Sequence, residues 1–520
     1  MGCLLDENDL KNYKLKEFFL SMLDFTFGCT EPVAIALNGA HLKNIIIENY
    51  FKNYDSFNCL IFENFTSIDE KHKNQKSNFY GKLKIDVFID KMTYKNAFNV
   101  GIPGTKIKGV KEAFLLGFLF GDKNKNLEIF NSISENDFEL FSKILSDDKK
   151  KKKIFEIFDF NSVDSDLLFI KSIAKIDDKY FVAQTENTHG NVLTYNFNEK
   201  DKIEQNCYNN HKFNNNKEAF LNQNFDRRFY EEKNFLKIID FLYLEQDVRE
   251  KIIEGIVCNF LASHEKNEIN DFEDFFVSQA IFNRMVGKKL KVLACAKSGN
   301  KGLTSLVSTF HYYITRKSNI EKFVNHFLKY NVDITFFYQI LNFNNKNEFE
   351  NKYFKFVEML KDQNERENIY NICRKYVEKE EKLIKASILA CYITSIITNN
   401  FGFISSICGV MYGAGAGFLA SMLFIDNKFE LFSKSFLNYI SSFGGVFCDG
   451  AKSSCSIKGS TAIRASINSK KLTEKKFCVD YKDGYLGSTF FETIQNLKKF
   501  NSVIYKINET MLEILKEKNI

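Results

Sequence analysis

The chain has 520 residues, 44% of them hydrophobic and 27% charged, and carries a net charge of +6 at pH 7. That length leaves room for roughly two or three domains, and a small, scattered charge without a basic stripe interleaved with aromatics argues against a nucleic-acid role. The opening Met1-Gly2-Cys3-Leu4-Leu5-Asp6 lacks a signal peptide's basic and apolar regions, and Asp6 stands where a myristoylation site wants Ser or Thr, so a cytoplasmic protein with twelve reduced cysteines is expected rather than a disulfide scaffold.

Residues 8–50 read as two helices, the second beginning after Pro32, with Thr30 as its cap. From Phe57 the pattern becomes strand-like, at Cys59 to Phe62 and again at Leu83 to Ile89, where apolar and polar residues alternate. Val110 to Phe120 has helical period, the basic run Lys149 to Lys153 reads as a solvated loop, and a hairpin is expected at Tyr180–Gln184 and Asn191–Tyr195. Asn-rich stretches at 196–217 and 341–353 read as expanded surface loops. From about residue 230 the period is helical. The expectation is an α+β protein: a discontinuous, mainly helical catalytic domain over 1–55 and 230–520, with an α+β domain inserted at 56–229.

Ala386 to Ile425 contains no charged residue, and forty uncharged residues could form two membrane spans. Asn399 and Asn400 in the middle, and the glycines at 409, 413, 415 and 417, favour instead a buried helical hairpin whose small residues let helices approach closely.

Among the cysteines, Cys59, Cys258, Cys373 and Cys391 lie among apolar neighbours and read as core fillers, and Cys3, Cys207 and Cys478 have no partner at metal spacing. Cys29, Cys408 and Cys448 differ in their company. Cys29 precedes Thr-Glu-Pro at a helix start, where a thiol's pKa should fall. Cys408 opens a Gly/Ala run, and Cys448 opens Cys-Asp-Gly-Ala-Lys-Ser-Ser-Cys, placing Cys455 seven residues on and on the same face of any helix there. No Cys-x-x-Cys occurs. A site would have to be assembled from distant segments, and thiolates without nearby histidines favour iron–sulfur over zinc.

These motifs resemble those of the L-cysteine desulfidase and L-serine dehydratase-like alpha family. The resemblance runs through Gly28-Cys29-Thr30-Glu31-Pro32, Val100 to Thr105, Thr188-His189-Gly190-Asn191-Val192, Ser298 to Thr304, the run from Ile407-Cys408-Gly409, and Cys448 to Cys455. It implies an oxygen-sensitive lyase with a 4Fe-4S cluster held by Cys29, Cys408 and Cys448, with one iron left open as a Lewis acid for the substrate. Elimination from L-cysteine would then yield sulfide, pyruvate and ammonia without pyridoxal phosphate. Cys455 is read as lying behind the ligands, an extra ligand being the alternative.

Thr30, Asn300 and Asp449 are candidate substrate contacts, Asp449 being equally suited to a helix cap. His189 and Lys452 are weak candidates for moving protons, and Gly104-Thr105 is either an oxyanion-binding turn or only a tight one. Lys301 stands where the family has Gln, and Ser453-Ser454 where it has Pro-Gly. The partner implied is a small amino acid, with neither nucleic acid nor membrane involved and a homodimer compatible with the pattern. L-Serine dehydration with the same cluster, or a degenerate relative without activity, are the competing functions.

Overall fold

The computed structural model describes residues 5–51, 57, 83–165, 168–198, 227–264, 275–335, 353, 355–402, 405–504 and 506–518. The expected strand at 59–62 and nearly all of both Asn-rich stretches lie outside these residues, as do Cys3, Cys59 and Cys207.

The chain begins with two short helices, α1 (Glu7–Asn12) and α2 (Leu15–Ser21), then a strand, β1 (Leu23–Phe27), before the long helix α3 (Thr30–Ile46). The expected first helix is therefore broken. Asp6 caps α1, and Lys14, in a left-handed conformation, starts α2. α3 also begins earlier than expected: Cys29 occupies the cap position, Thr30 is the first helical residue and Pro32 sits inside the first turn, where its missing N–H costs nothing.

The α+β region comprises β2 (Leu83–Asp90), α4 (Lys91–Ala97), α5 (Val110–Phe120), α6 (Glu135–Ser146), α7 (Asp148–Phe155), β3 (Phe158–Val163), β4 (Phe169–Ile176), β5 (Lys179–Glu186) and β6 (Val192–Phe197). The lysine run is helical rather than a loop. Asp147 accepts from the amides of Lys149 and Lys150 and so nucleates α7. The sheet order is β3-β2-β4-β5-β6, parallel only between β2 and β3. The expected hairpin forms with Tyr180 opposite Phe197 and Gln184 opposite Leu193. One face of the sheet is covered by α3 and α5, whose Ile35, Leu37, Phe114 and Phe118 share a core with Ile85, Val87, Ile170 and Phe181. Asn38, fully buried in α3, ties helix to sheet by donating to the carbonyls of Ile170 and Ala183 and to Thr185 Oγ1.

The remainder is helical: α8 (Glu232–Leu244), α9 (Gln246–Ser263), α10 (Phe275–Met285), then β7 (Lys291–Cys295), α11 (Gly299–Ile314), α12 (Lys317–Leu328), α13 (Gln363–Val377), α14 (Glu381–Phe401), α15 (Gly415–Ile425), α16 (Phe432–Ser441), α17 (Cys455–Glu474), α18 (Phe490–Ile504) and α19 (Ile507–Glu517). β7 pairs antiparallel with β1, Leu23 facing Cys295, which fastens the N-terminal segment to the helical core. The protein is thus α+β, mainly helical, with its Gly/Ala-rich hairpin, α14 and α15, buried in the larger core. Among the described residues no helix is long and apolar enough to cross a membrane.

Candidate functional site

Cys29 is delivered by the turn between β1 and α3. Its thiol, almost fully buried, donates to Glu31 Oε2 at 2.9 Å, and Thr30 Oγ1 donates to the same oxygen at 3.0 Å. Asn96, on α4's C-terminal side, donates to the other oxygen, Oε1, at 3.0 Å. Burial, and then the charge of Glu31, push the Cys29 thiol well up. The lowering expected from a helix N-terminus is overturned, because desolvation of a buried thiolate outweighs a terminal dipole.

Cys408 and Cys448 face one another across two short extended segments. The Cys408 amide donates to the Val446 carbonyl at 2.9 Å, the Cys448 amide donates to Ser406 O at 2.8 Å, and Ile407 pairs with Phe447 between them. Cys455 opens α17, but residues 448–454 do not form a helix, so Cys448 and Cys455 are not on one helical face. The Cys455 thiol instead folds back toward Gly450 O, 3.4 Å away. Burial raises Cys408 to about 11, with Cys448 adding to it, and raises Cys455 to about 12, with Cys408 and Cys448 adding to it. The three thiols therefore lie within electrostatic reach of each other. Cys29 joins them through Arg284 and Lys452, each of which feels the charge of both Cys29 and Cys455.

Asn300 is buried at the start of α11, its Oδ1 accepting from Arg284 Nη1 and its Nδ2 directed at Met285 Sδ. Asp449 is not a helix cap: its carboxylate takes Lys458 Nζ at 2.6 Å and Ser454 Oγ at 2.9 Å. Burial works against that carboxylate, but Lys458 outweighs it and holds its pKa down. Lys452 donates to Lys95 O at 3.4 Å, and burial brings it down to about 8. Thr105 closes its own turn, donating to Ile102 O at 2.9 Å and accepting from the Ile107 amide at 3.0 Å.

His189, in the β5–β6 turn, is 2% exposed, and neither ring nitrogen has a hydrogen-bond partner among the described residues. Burial lowers its pKa to about 4, so the ring is neutral at pH 7, with Glu31 as the principal charge it faces. Burial presses Glu31 upward, but the hydrogen bonds from Cys29 and Asn96 outweigh it and hold the carboxylate below its ordinary range.

Lys95 and Arg284 have no signal in the sequence beyond being basic residues in apolar helical stretches. Lys95 is fully buried on α4 and donates to Cys448 O at 2.6 Å and Asn508 Oδ1 at 2.8 Å; Asn508, on α19, donates to Ser406 Oγ at 2.7 Å. Arg284, on α10, joins Asn300 Oδ1 to Gly28 O. Lys301, on α11, donates to Ala296 O at 2.9 Å and Thr398 Oγ1 at 3.3 Å, and lies against Gly409.

None of Lys95, Arg284, Lys301 and Lys452 forms an ion pair with a described residue. Arg284 and Lys301 both feel the charge of Glu31, while burial holds the thiols of Cys29, Cys408 and Cys455 protonated. Cations outside ion pairs beside protonated thiols make a place where thiolates and other anions are stabilised on arrival. Among the described residues no three His, Cys, Asp or Glu donors close on one point as a single ion requires. Soft thiols on separate segments are the kind of donor that thiolate-bound clusters use.

A family model described as serine dehydratase alpha chain matches residues 369–516, the stretch carrying Cys408, Cys448 and Cys455. Over nearly its whole length the chain is similar to a UPF0597 protein of Nautilia profundicola, 25% identical over 523 residues, covering 98% of this chain and 100% of that one. It is 24% identical over 465 residues to the L-cysteine desulfidase of Methanocaldococcus jannaschii, covering 86% of this chain and 90% of the relative. The L-cysteine desulfidase of Methanococcus maripaludis is 23% identical over 448 residues, covering 84% and 89%.

Proposed function

Because the chain belongs to the L-cysteine desulfidase and serine dehydratase alpha-like family, we propose that it is a cytoplasmic lyase that eliminates sulfide from L-cysteine. What supports this reading is that Cys408, Cys448 and Cys455 lie within electrostatic reach of one another, with Arg284 and Lys452 each facing both Cys29 and Cys455. Cys29, Cys408 and Cys448 would hold a 4Fe-4S cluster, with Cys455 behind them. When bound, the cluster supplies a Lewis-acidic iron that favours loss of the β-substituent.

The chain's own residues then have separable tasks. Glu31 orients the Cys29 thiol and, being ionised, faces His189. His189, neutral and free at both nitrogens, is suited to accept the α-proton of the amino acid. Lys452, also brought toward neutrality, is the other group able to carry a proton there. Breaking the Cα–H and Cβ–S bonds leaves aminoacrylate and hydrogen sulfide, and water then converts aminoacrylate to pyruvate and ammonia. The depth of burial excludes bulk water from Cys29, Cys408 and His189. The family-model match to serine dehydratase favours L-serine as the second substrate to try.

The test is anaerobic purification with iron and sulfide, followed by visible spectroscopy, iron content and sulfide release from L-cysteine. Wild type should show the broad visible absorption of thiolate-bound clusters and produce sulfide and pyruvate in equal amounts, with Cys408→Ala losing both. A colourless, iron-free wild type that releases no sulfide would refute the reading.

A further inference from the structure

Glu31 fixes the orientation of Asn96, a residue outside every motif of the sequence. An ionised carboxylate only accepts hydrogen bonds, and Asn96 donates its Nδ2 to Glu31 Oε1 at 3.0 Å. The amide oxygen of Asn96 must therefore point the other way. Asn96 is 6% exposed, and its Oδ1 is buried without a hydrogen-bond partner among the described residues. An amide oxygen left unpaired in the interior is costly, and the cost falls when a donor reaches it.

This oxygen lies between two of the proposed ligand segments. On one side Glu31 takes the Cys29 thiol on its other oxygen, Oε2, at 2.9 Å. On the other side Gly450, two residues beyond Cys448, lays its backbone on the end of α4. A Cβ on Gly450 would stand 3.0 Å from Lys95 O, 3.2 Å from Asn96 Cα and 3.3 Å from Asn96 Oδ1. Gly450 has φ +90°, a conformation that favours glycine, so its turn puts no side chain against the amide oxygen. Lys95 O is a second acceptor at the same place, reached by Lys452 Nζ at 3.4 Å. His189, the proposed proton acceptor, faces the same Glu31 carboxylate.

We infer that Asn96 Oδ1 receives the α-ammonium of the amino-acid substrate and makes the site selective for amino acids. The identity of the donor rests on the lyase reading above; the need of Asn96 for a donor rests on the geometry alone. Among the polar groups of L-cysteine the carboxylate has no hydrogen to give and the thiol is the group that leaves. The ammonium is the one whose N–H suits an amide oxygen. A second acceptor and the charge of Glu31 close by suit a cation better than a neutral hydroxyl. An acid without the ammonium leaves the oxygen buried and unpaired, which is how a polar site rejects an analogue lacking one hydrogen-bonding group.

The experiment is calorimetric titration of the anaerobically purified protein with L-alanine and with propionate, on wild type, Asn96→Leu and Asn96→Ser. Neither ligand has a leaving group, so binding is read without turnover, and the two differ only in the ammonium. Wild type should prefer L-alanine by roughly tenfold or more, as expected for a charge-assisted hydrogen bond. Asn96→Leu should bring the two affinities within about threefold of each other, by weakening L-alanine and leaving propionate nearly unchanged. A purely structural role, acting through Glu31 and Cys29, would weaken both ligands alike and keep their ratio. Thermal melts establish that the variant is folded; Asn96→Ser, whose oxygen stands one atom short, should show the same loss of preference and provides the answer alone if Asn96→Leu does not fold. Equal affinity of wild type for L-alanine and propionate, no binding of L-alanine, or an unchanged ratio in a folded variant would each overturn the assignment. A protein whose preference for L-alanine depends on Asn96 but which takes up no iron and releases no sulfide keeps the subsite and loses the lyase. One that releases sulfide and has the wild-type ratio in both variants keeps the lyase and loses the subsite.

Discussion

The ring of Pro103 lies against Gly28, so that a Cβ placed on Gly28 would collide with Pro103 Cγ. Gly28 has φ +82°, a conformation that favours glycine, and it immediately precedes Cys29. The turn around Pro103 is anchored on the opposite side: Gly101 N donates to Met285 O at 2.8 Å and Gly104 N to Gly287 O at 2.9 Å. The two prolines of the chain therefore belong to one construction, in which a rigid turn fixes the direction from which Cys29 enters the site.

Gly28→Ala should be costly for two independent reasons, the strained φ and the collision with Pro103, together about 2–4 kcal/mol. Pro103→Ala removes packing only and should cost about 1 kcal/mol. Urea unfolding of both variants measures this. A Gly28→Ala protein as stable as wild type would mean that the turn adapts freely and does not position Cys29.

The buried polar link from Lys95 to Cys448 O and Asn508 predicts a non-additive pair. Lys95→Met removes the donor that the Cys448 carbonyl and the Asn508 amide oxygen share, at about 2–3 kcal/mol. Asn508→Ala takes one of Lys95's two acceptors and the donor to Ser406 Oγ, and should cost a similar amount. Because both act on one network, the double variant should be less damaging than the sum by about 1 kcal/mol or more. Strict additivity in a double-mutant cycle would show that the two contacts are energetically separate.

His264 sets a pH dependence that is independent of the thiols. It is fully buried against Phe276 and His311, with Nδ1 hydrogen-bonded to Phe260 O at 2.8 Å. Burial lowers its pKa to about 4 from an ordinary value of 6.5, and His311 is driven well below the ordinary value by burial and by His264. In the unfolded chain both take up protons near pH 6.5, so between about pH 6.5 and 4 the unfolded state binds more protons and stability falls as pH falls. His264 alone accounts for roughly 3 kcal/mol across that window. Denaturant midpoints at pH 7.5, 6 and 4.5 should decline in that order, and His264→Phe should flatten the decline. Constant midpoints would show that both rings are readily protonated where they lie.

Much of the fold was legible because it rests on local periodicity: α5 from Val110 to Phe120, the alternation of β2, the β5–β6 hairpin and the buried Gly/Ala hairpin. The distinctive surroundings of Cys29, Cys408 and Cys448 were also visible, since Gly and Pro keep their meaning at turns. What stayed hidden depends on distant partners. Nothing local tells that Lys95 reaches the carbonyl of Cys448 or that Arg284 spans Gly28 and Asn300. The thiol acidity expected at a helix start was reversed by burial and by Glu31, a cost that sequence spacing does not register. The lysine run was misread because charge suggested solvent, whereas the Asp147 cap favoured a helix.

The glycines of the hairpin, alike in sequence, are not alike in space. A Cβ on Gly417 would run into the backbone oxygen of Ala390 and into Thr394 Oγ1, because α15 presses directly on α14 there. A Cβ on Gly413 would meet Thr394 O and Thr398 Oγ1 at 3.5 Å, ordinary van der Waals contact. Gly417→Ala should force the two buried helices apart and cost about 2–3 kcal/mol. Gly413→Ala should fall within about 1 kcal/mol of wild type, since lost backbone freedom in the unfolded state offsets any slight crowding. Thermal melts of the two variants side by side decide the point. Equal destabilisation would mean that α14 and α15 are spaced more loosely than their contacts imply, and loss of stability in Gly413→Ala alone would reverse the assignment of which glycine the close approach requires.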